Sequence, residues 1–317
     1  RTQVSTLEPL VGLAELTTLD CSSAPVSSLA PLVGLTALAT LDCRDTQVTS
    51  LVPLSGLPAL ASIDCWGTQV SSLEPLSGLT TLTTLYFGNT QVSSLEPLSD
   101  LIALTALFFG DTQVTSIEPL SDLIALTTLS FWGTQVTSLK PLSELSALSA
   151  LYLGSTLVSS LEPLSGLPAL AVLNCWGTQV TSLEPLSDLL TLVELVCSQT
   201  KVSSLEPLSG LTALTSLNCS ECALTHAPSA LWEKSALQEA ILFKTRLPGI
   251  PEEVLSKNDI DDNCLPALRA HLADLGASPE RLADVKLMVL GNGRIGKTQI
   301  VRRLQGKDYQ ANSVSTH

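Results

Sequence analysis

The chain has 317 residues, of which 16 are basic and 30 acidic, so its formal net charge is -14. Binding to nucleic acid needs a clustered basic surface that neutralises phosphates, and this charge balance argues against a nucleic-acid partner. Hydrophobic residues make up 45% of the chain, but Ser, Thr and Gly interrupt them so regularly that no run of about 18 apolar residues exists to span a membrane.

Most of the chain repeats one unit of 22 residues, which has its most regular form in 68–89. The units open with Thr-Gln-Val or a variant of it, at Thr2, Ala24, Thr46, Thr68, Thr90, Thr112, Thr134, Thr156, Thr178, Thr200 and Cys222. Fixed periods of about 20 to 29 residues with leucines at this spacing are typical of leucine-rich repeats. We therefore predict an α/β solenoid with a parallel sheet on its concave face.

Each repeat is predicted to supply one short strand. The pattern L-x-x-L-x-L-x-x-N-x-L is filled here by Leu82, Leu85, Phe87, Thr90 and Val92. Alternate strand residues point to opposite faces, so Leu85 and Phe87 should pack inside while Tyr86 and Gly88 face the concave surface. A proline that recurs from Pro9 to Pro207 predicts short turns on the convex side.

Six of the eight cysteines share one inward-facing position of the repeat: Cys21, Cys43, Cys65, Cys175, Cys197 and Cys219. We interpret them as small buried hydrophobic residues. Cys219 and Cys222 also form a C-x-x-C pair, but a zinc site is the weaker hypothesis because no second pair or nearby His completes it. Free thiols in this number predict a reducing, cytoplasmic location.

Half of the chain's aromatic residues occupy concave positions of the middle repeats: Trp66, Tyr86, Phe108, Trp132, Tyr152 and Trp176. Clusters of exposed Trp and Tyr favour recognition, so we predict that this face binds a protein partner or the half of the same protein that follows the repeats. The alternative is that the rings only pack on one another between strands. A column of Asp20, Asp42 and Asp64 beside Arg44 predicts solvated, partly neutralised charge, with a cation site as the weaker hypothesis.

Regular repeats end near residue 224, and a longer repeat and a partial turn follow, so we place the solenoid and its cap in 1–250. In 251–283, Leu265, Leu268 and Leu272 have helical spacing before Gly276, which predicts a connecting helix followed by a linker. Val285–Leu290 predicts a buried strand, the first element of a third segment, 284–317.

A glycine-rich loop directly follows this strand. It fits the pattern G-x-x-x-x-G-K-[ST] with Gly291, Asn292, Gly293, Arg294, Ile295, Gly296, Lys297 and Thr298. In such a loop the backbone N–H groups surround phosphate, the lysine contacts the outer phosphates and the Thr hydroxyl binds Mg²⁺. Apolar positions at Ile300, Val301 and Leu304 predict the helix that should follow. We therefore predict the N-terminal strand-loop-helix fragment of a P-loop G domain.

Repeats, a connecting helix and a P-loop in this order resemble the bacterial Roco family, whose Ras-like Roc domain follows leucine-rich repeats. The resemblance implies a signalling GTPase that uses GTP or GDP with Mg²⁺ and forms a homodimer through a COR domain absent here. It also implies that Thr316 is the switch threonine that binds Mg²⁺. Because neither D-x-x-G nor N-K-x-D follows Thr298, this chain is expected to bind no nucleotide tightly and to be inactive, with no catalytic residue assigned.

Two other classes of protein fit part of this pattern. A secreted, adhesive leucine-rich-repeat protein of the internalin type would use the concave face alone, but the P-loop and the free cysteines argue against it. A repeat-bearing ATPase of the immune-receptor type would usually place its nucleotide domain before the repeats. The sequence therefore favours the cytoplasmic Roco-type protein.

Overall fold

The computed structural model describes residues 3–256 and 262–276. In this part of the chain, short strands form one 11-stranded parallel sheet whose order follows the sequence. The strands are β1 Thr18–Asp20, β2 Thr40–Asp42, β3 Ser62–Asp64, β4 Thr84–Tyr86, β5 Ala106–Phe108, β6 Thr128–Ser130, β7 Ala150–Tyr152, β8 Val172–Asn174, β9 Glu194–Val196, β10 Ser216–Asn218 and β11 Glu239–Ile241. The predicted leucine-rich-repeat solenoid is confirmed.

Strand pairing joins equivalent positions of successive repeats. Leu85 lies opposite Ile63 on one side and Leu107 on the other, one repeat away in each direction. Only the last pairing, β10 with β11, is offset by one further residue, because the final repeat is longer. Any residue type that recurs with the period of the sequence therefore forms a column that runs along the solenoid.

The core lies between the sheet and the convex turns, and apolar side chains at the predicted inward positions fill it. Phe87, Phe109 and Phe131 are fully buried in one column, and their rings stack with centroids 5.4 and 5.7 Å apart. The threonine that opens each repeat from Thr46 to Thr200 is also buried, and its hydroxyl donates to a nearby backbone carbonyl. For example, Thr90 Oγ1 donates to the Phe87 carbonyl at 2.7 Å, so a polar residue is accommodated without an unpaired group.

On the convex side each repeat turns through a short 3₁₀ helix that contains the recurrent proline. Proline at this position removes no backbone hydrogen bond, because the first N–H groups of a helix have no partner within the helix. The residue before proline is held by a serine, as where Ser72 Oγ accepts the Glu74 N–H at 3.2 Å. These helices are Glu8–Leu10, Ala30–Leu32, Val52–Leu54, Glu74–Leu76, Glu96–Leu98, Glu118–Leu120, Lys140–Leu142, Glu162–Leu164, Glu184–Leu186 and Glu206–Gly210.

Irregular elements close the C-terminal end of the core. They are the α-helix α1 (Ser229–Trp232), a 3₁₀ helix (Glu252–Val254) and the α-helix α2 (Leu265–Gly276). The first turns of α2 bury Leu265 and Leu268 in the core, so this helix, predicted as a connecting helix, helps to cover the last repeat. No helix among the described residues is long and apolar enough to cross a membrane.

Arg269 of α2 fixes this cap to the solenoid. Its guanidinium donates to the carbonyls of Trp232 at 2.7 Å, Lys234 at 2.6 Å and Leu237 at 2.9 Å. We expect Arg269→Met to lower the free energy of unfolding by about 2–3 kcal/mol, because three carbonyls lose a charged donor. Chemical denaturation measures this change. Arg246→Met is the control, since the Arg246 side chain is 90% exposed and should change stability by no more than about 0.5 kcal/mol. Equal effects of the two substitutions would contradict the assigned role.

Candidate functional site

The concave face presents two neighbouring columns of side chains. The strand-end column consists of the last residue of each strand and includes Tyr86, Phe108, Ser130, Tyr152 and Asn174. The tryptophan column lies two residues further along each repeat: Ser22, Arg44, Trp66, Gly88, Gly110, Trp132, Gly154, Trp176, Ser198, Ser220 and, in the longer last repeat, Phe243. All six aromatic residues predicted from the sequence therefore lie in these two columns.

Several of these rings pack on one another, as the alternative interpretation of the sequence expected. Tyr86 and Phe108 stack with centroids 4.3 Å apart and ring planes 6° from parallel. Trp66 and Trp132 stack at 6.1 Å although three repeats separate them in the chain. This contact requires both indoles to extend along the solenoid, over the two repeats that lie between them.

Glycines provide the space for these indoles. A Cβ atom on Gly88 would lie 2.0 Å from the Trp66 ring, and one on Gly110 would lie 2.5 Å from Trp132 Nε1. Such distances are shorter than any side chain could accept, so each indole lies directly on the backbone of a neighbouring repeat. The glycine positions of this column are therefore as much a part of the aromatic surface as the tryptophans are.

Trp176 is the most exposed of the six rings. It lies over Gly154, where a Cβ atom would be 2.1 Å from Trp176 Nε1, and 36% of the residue remains exposed. Between Trp132 and Trp176 the surface forms an open cleft of about 270 Å³, lined also by Phe108, Tyr152, Ser130 and Asn174. Ser130 was not among the predicted residues. The sequence feature that could have identified Ser130 is its position in the strand-end column, where it is a small residue between Phe108 and Tyr152.

The aromatic surface is bordered by carboxylates. The Asp111 side chain lies over Gly133, which follows Trp132 and has a left-handed backbone (φ 71°); a Cβ atom there would be 2.1 Å from Asp111 Oδ1. Glu194 in β9 belongs to the repeat that follows Trp176. Within the described residues, neither Asp111 nor Glu194 forms an ion pair.

The aspartate column before the aromatic residues is partly neutralised, as predicted. Arg44 reaches Asp42 at 3.4 Å and Asp64 at 3.7 Å. Asp20 accepts the Ser22 N–H at 2.9 Å, and hydrogen bonds from Ser22 hold the pKa of Asp20 below its usual value. Burial raises the pKa of Asp64. No group of His, Cys, Asp or Glu in the described part of the chain could hold a metal ion.

The cysteines are buried free thiols, and Cys219 and Cys222 are no exception. Burial raises the pKa of Cys65 and of Cys175 to about 12, so these thiols stay protonated and unreactive at neutral pH. Cys222 takes the place of the buried threonine, and its thiol donates to the Cys197 carbonyl at 3.1 Å. Hydrogen bonds with Cys197 and Thr200 lower the pKa of Cys222 to about 6, so this thiol is protected from reagents by its burial and not by its pKa. The structure confirms the interpretation of the column as hydrophobic core.

Thiol labelling tests this burial. We expect a thiol-specific aromatic disulfide reagent to label almost none of the eight cysteines of the folded chain at pH 8 within minutes, and all of them in denaturant. The measurement is absorbance of the released thiolate. A rapid reaction of one or more thiols in the native chain, with the fold intact by circular dichroism, would show that the column is accessible.

The predicted nucleotide site cannot be placed. Gly291–Thr298 and Thr316 lie outside the described residues, as do 277–317 as a whole. GTP, GDP and Mg²⁺ binding therefore stay predictions from the sequence.

No protein-family model and no curated protein sequence matches the chain. Among solved structures, an internalin (inlF) from Listeria monocytogenes is 24% identical with a TM-score of 0.74, covering 84% of this chain and 75% of that one. Internalin C2 from the same organism is 30% identical with a TM-score of 0.56, covering 57% and 80%. The functional domain of InlJ, also from L. monocytogenes, is 23% identical with a TM-score of 0.60, covering 78% and 56%.

These similarities support the repeat part of the prediction and give no support to the Roc part. The InlJ domain is described as including a cysteine ladder. The similarities fit the internalin-type alternative better than the Roco-type prediction. The chain belongs to the leucine-rich-repeat proteins, and its repeats are similar to those of internalins.

Proposed function

We propose that the chain binds a protein or peptide segment on its concave face, in the cleft between Trp132 and Trp176. The observation that carries the proposal is the position of Trp176, which is exposed and yet held in place over Gly154. An aromatic side chain that is already ordered loses little entropy on binding, and buried Trp and Tyr dominate the energetics of protein interfaces.

The glycines of the tryptophan column support this proposal, because the backbone of the repeat does not require glycine at this position. The same position holds Ser22, Arg44 and Ser198 in other repeats, and Gly88, Gly110 and Gly154 do not have the positive φ that would demand glycine. Glycine occurs where a neighbouring indole lies. The arrangement therefore serves the shape of the surface, which is what a binding function requires.

A selection experiment tests the proposal. Peptides displayed on phage are selected on immobilised wild-type chain and then compared on Trp176→Ala and Ile124→Ala. Ile124 is 63% exposed and lies outside the two concave columns, so it controls for general surface hydrophobicity. We expect peptides whose binding is lost with Trp176→Ala and kept with Ile124→Ala. If no selected peptide depends on Trp176, the proposed function is wrong.

We also propose, from the sequence motif alone, that the full-length protein binds GTP or GDP with Mg²⁺ at Gly291–Thr298. Lys297 would contact the outer phosphates and Thr298 the metal ion, with Thr316 as a switch residue and a COR domain as the dimer contact, as the Roco resemblance implies. In that protein the Roc–COR half is a further possible occupant of the concave face, and the location would be cytoplasmic.

Binding of a fluorescent GDP analogue to the full-length protein tests the second proposal. We expect Lys297→Ala to abolish binding and Lys307→Ala, outside the motif, to leave it intact. Competition by GTP but not ATP separates the GTPase from the ATPase alternative. Absence of any nucleotide binding by the full-length protein would leave only the binding function of the repeats.

A further inference from the structure

We infer that the partner is a basic segment that inserts an arginine side chain into the cleft between Trp132 and Trp176. The inference rests on the proposed function of the concave face and specifies the chemistry of its ligand. It follows from the charges around the cleft, the nature of its walls and the polar groups among them.

The charge pattern selects a cationic partner. The chain carries a net charge of -14, and among the described residues of the strand-end and tryptophan columns Arg44 is the one basic side chain, already paired with Asp42 and Asp64. Lys244, which follows the tryptophan column in the last repeat, is paired with Glu221 at 3.9 Å. Asp111 lies over Gly133, next to Trp132, and forms no ion pair among the described residues. Complementary potentials steer association and exclude like-charged partners, so an acidic segment is disfavoured here and a basic one is favoured.

The walls of the cleft select the group that enters it. Phe108, Trp132, Tyr152 and Trp176 present four aromatic rings, which attract a cation through the negative potential of the ring faces. Arginine suits such a site better than lysine because its planar guanidinium stacks on aromatic faces and is more weakly hydrated.

The polar groups in the cleft complete the match. Ser130 and Asn174 line it together with the rings, and guanidinium is a donor only, so it can donate to the Ser130 hydroxyl oxygen. Asn174 Oδ1 already accepts the Trp176 N–H at 3.3 Å and has one further lone pair to offer. Asp111 lies beside Trp132, where it can balance the charge of an entering cation. An apolar side chain would also fill about 270 Å³, but it would gain nothing from the oxygens or from the Asp111 carboxylate.

The peptides selected above provide the test. The tightest Trp176-dependent peptide is synthesised with its central arginine and again with citrulline, which keeps the shape of arginine and removes the charge. Isothermal titration calorimetry at low salt should show the arginine peptide binding about tenfold more tightly. Asp111→Asn should weaken the arginine peptide about threefold and leave the citrulline peptide unchanged, whereas Asp122→Asn, on the convex side, should change neither.

The outcomes separate this inference from the proposed function. Trp176-dependent peptides that contain no arginine or lysine, or equal affinities of the arginine and citrulline forms, overturn the inference and leave the binding function standing. If no peptide depends on Trp176, both fail. Arginine-containing peptides that lose affinity with citrulline and with Asp111→Asn establish the cation site.

Discussion

Replacing Phe109 by alanine is expected to lower the free energy of unfolding by about 3–5 kcal/mol. Phe109 is the middle ring of the stack with Phe87 and Phe131, and none of its surface is exposed. Alanine would leave a cavity that neighbouring repeats cannot fill, because hydrogen bonds between repeats hold the backbone on both sides. Phe109 itself donates its N–H to the Ser130 carbonyl at 2.8 Å, and Phe87 donates to the Phe108 carbonyl at 2.9 Å. Chemical denaturation followed by circular dichroism measures the loss.

Two further substitutions at Phe109 show whether volume is the cause. The same column holds Leu153 and Cys65 in other repeats, so both residue types are compatible with the backbone at this position. Phe109→Leu should cost about 1–2 kcal/mol and Phe109→Cys nearly as much as alanine, since stability follows the volume removed. If cysteine is tolerated as well as leucine, the ring stack contributes little and the repeats adapt to small residues.

The columns of the concave face could be predicted from the sequence because the period determines the register. With 22 residues per turn, Trp66 and Trp132 must occupy one column, and Tyr86 and Phe108 the other. The direction in which each indole extends could not be predicted. Trp66 extends over Gly88 of the next repeat, whereas Trp132 and Trp176 extend back over Gly110 and Gly154. The direction depends on where a neighbour lacks a side chain, which the repeat pattern alone does not specify.

The role of α2 shows a second limit of sequence analysis. Helical spacing of Leu265, Leu268 and Leu272 correctly predicted a helix, but a hydrophobic stripe does not identify the surface that it contacts. That information lies in Arg269, whose three carbonyl partners come from the last irregular repeat. Exposed carbonyls at the end of a solenoid need a donor, and a single arginine on the covering helix supplies it.

Replacing Gly154 by alanine is expected to weaken binding of Trp176-dependent peptides at least about tenfold while lowering the free energy of unfolding by less than about 1 kcal/mol. The backbone of Gly154 lies outside the left-handed region, so alanine introduces no backbone strain. Its methyl group would, however, lie 2.1 Å from the present position of Trp176 Nε1. The indole must move, and because it is partly exposed it can swing towards solvent at little cost to folding.

Displacement of the ring would remove one wall of the cleft, so Gly154→Ala should weaken binding strongly and lower stability only a little. Gly166→Ala is the matched control, since nothing lies within 4 Å of a Cβ atom at that position and its backbone φ is likewise not positive. The indole N–H resonance of Trp176, followed by NMR in the wild type and both variants, reports the position of the ring directly. Movement of this resonance together with lost binding in Gly154→Ala, and neither change in Gly166→Ala, would establish that the glycine holds the tryptophan in its binding position. Unchanged binding with a displaced ring would contradict the prediction, because it would show that the peptides do not need Trp176 in its position over Gly154.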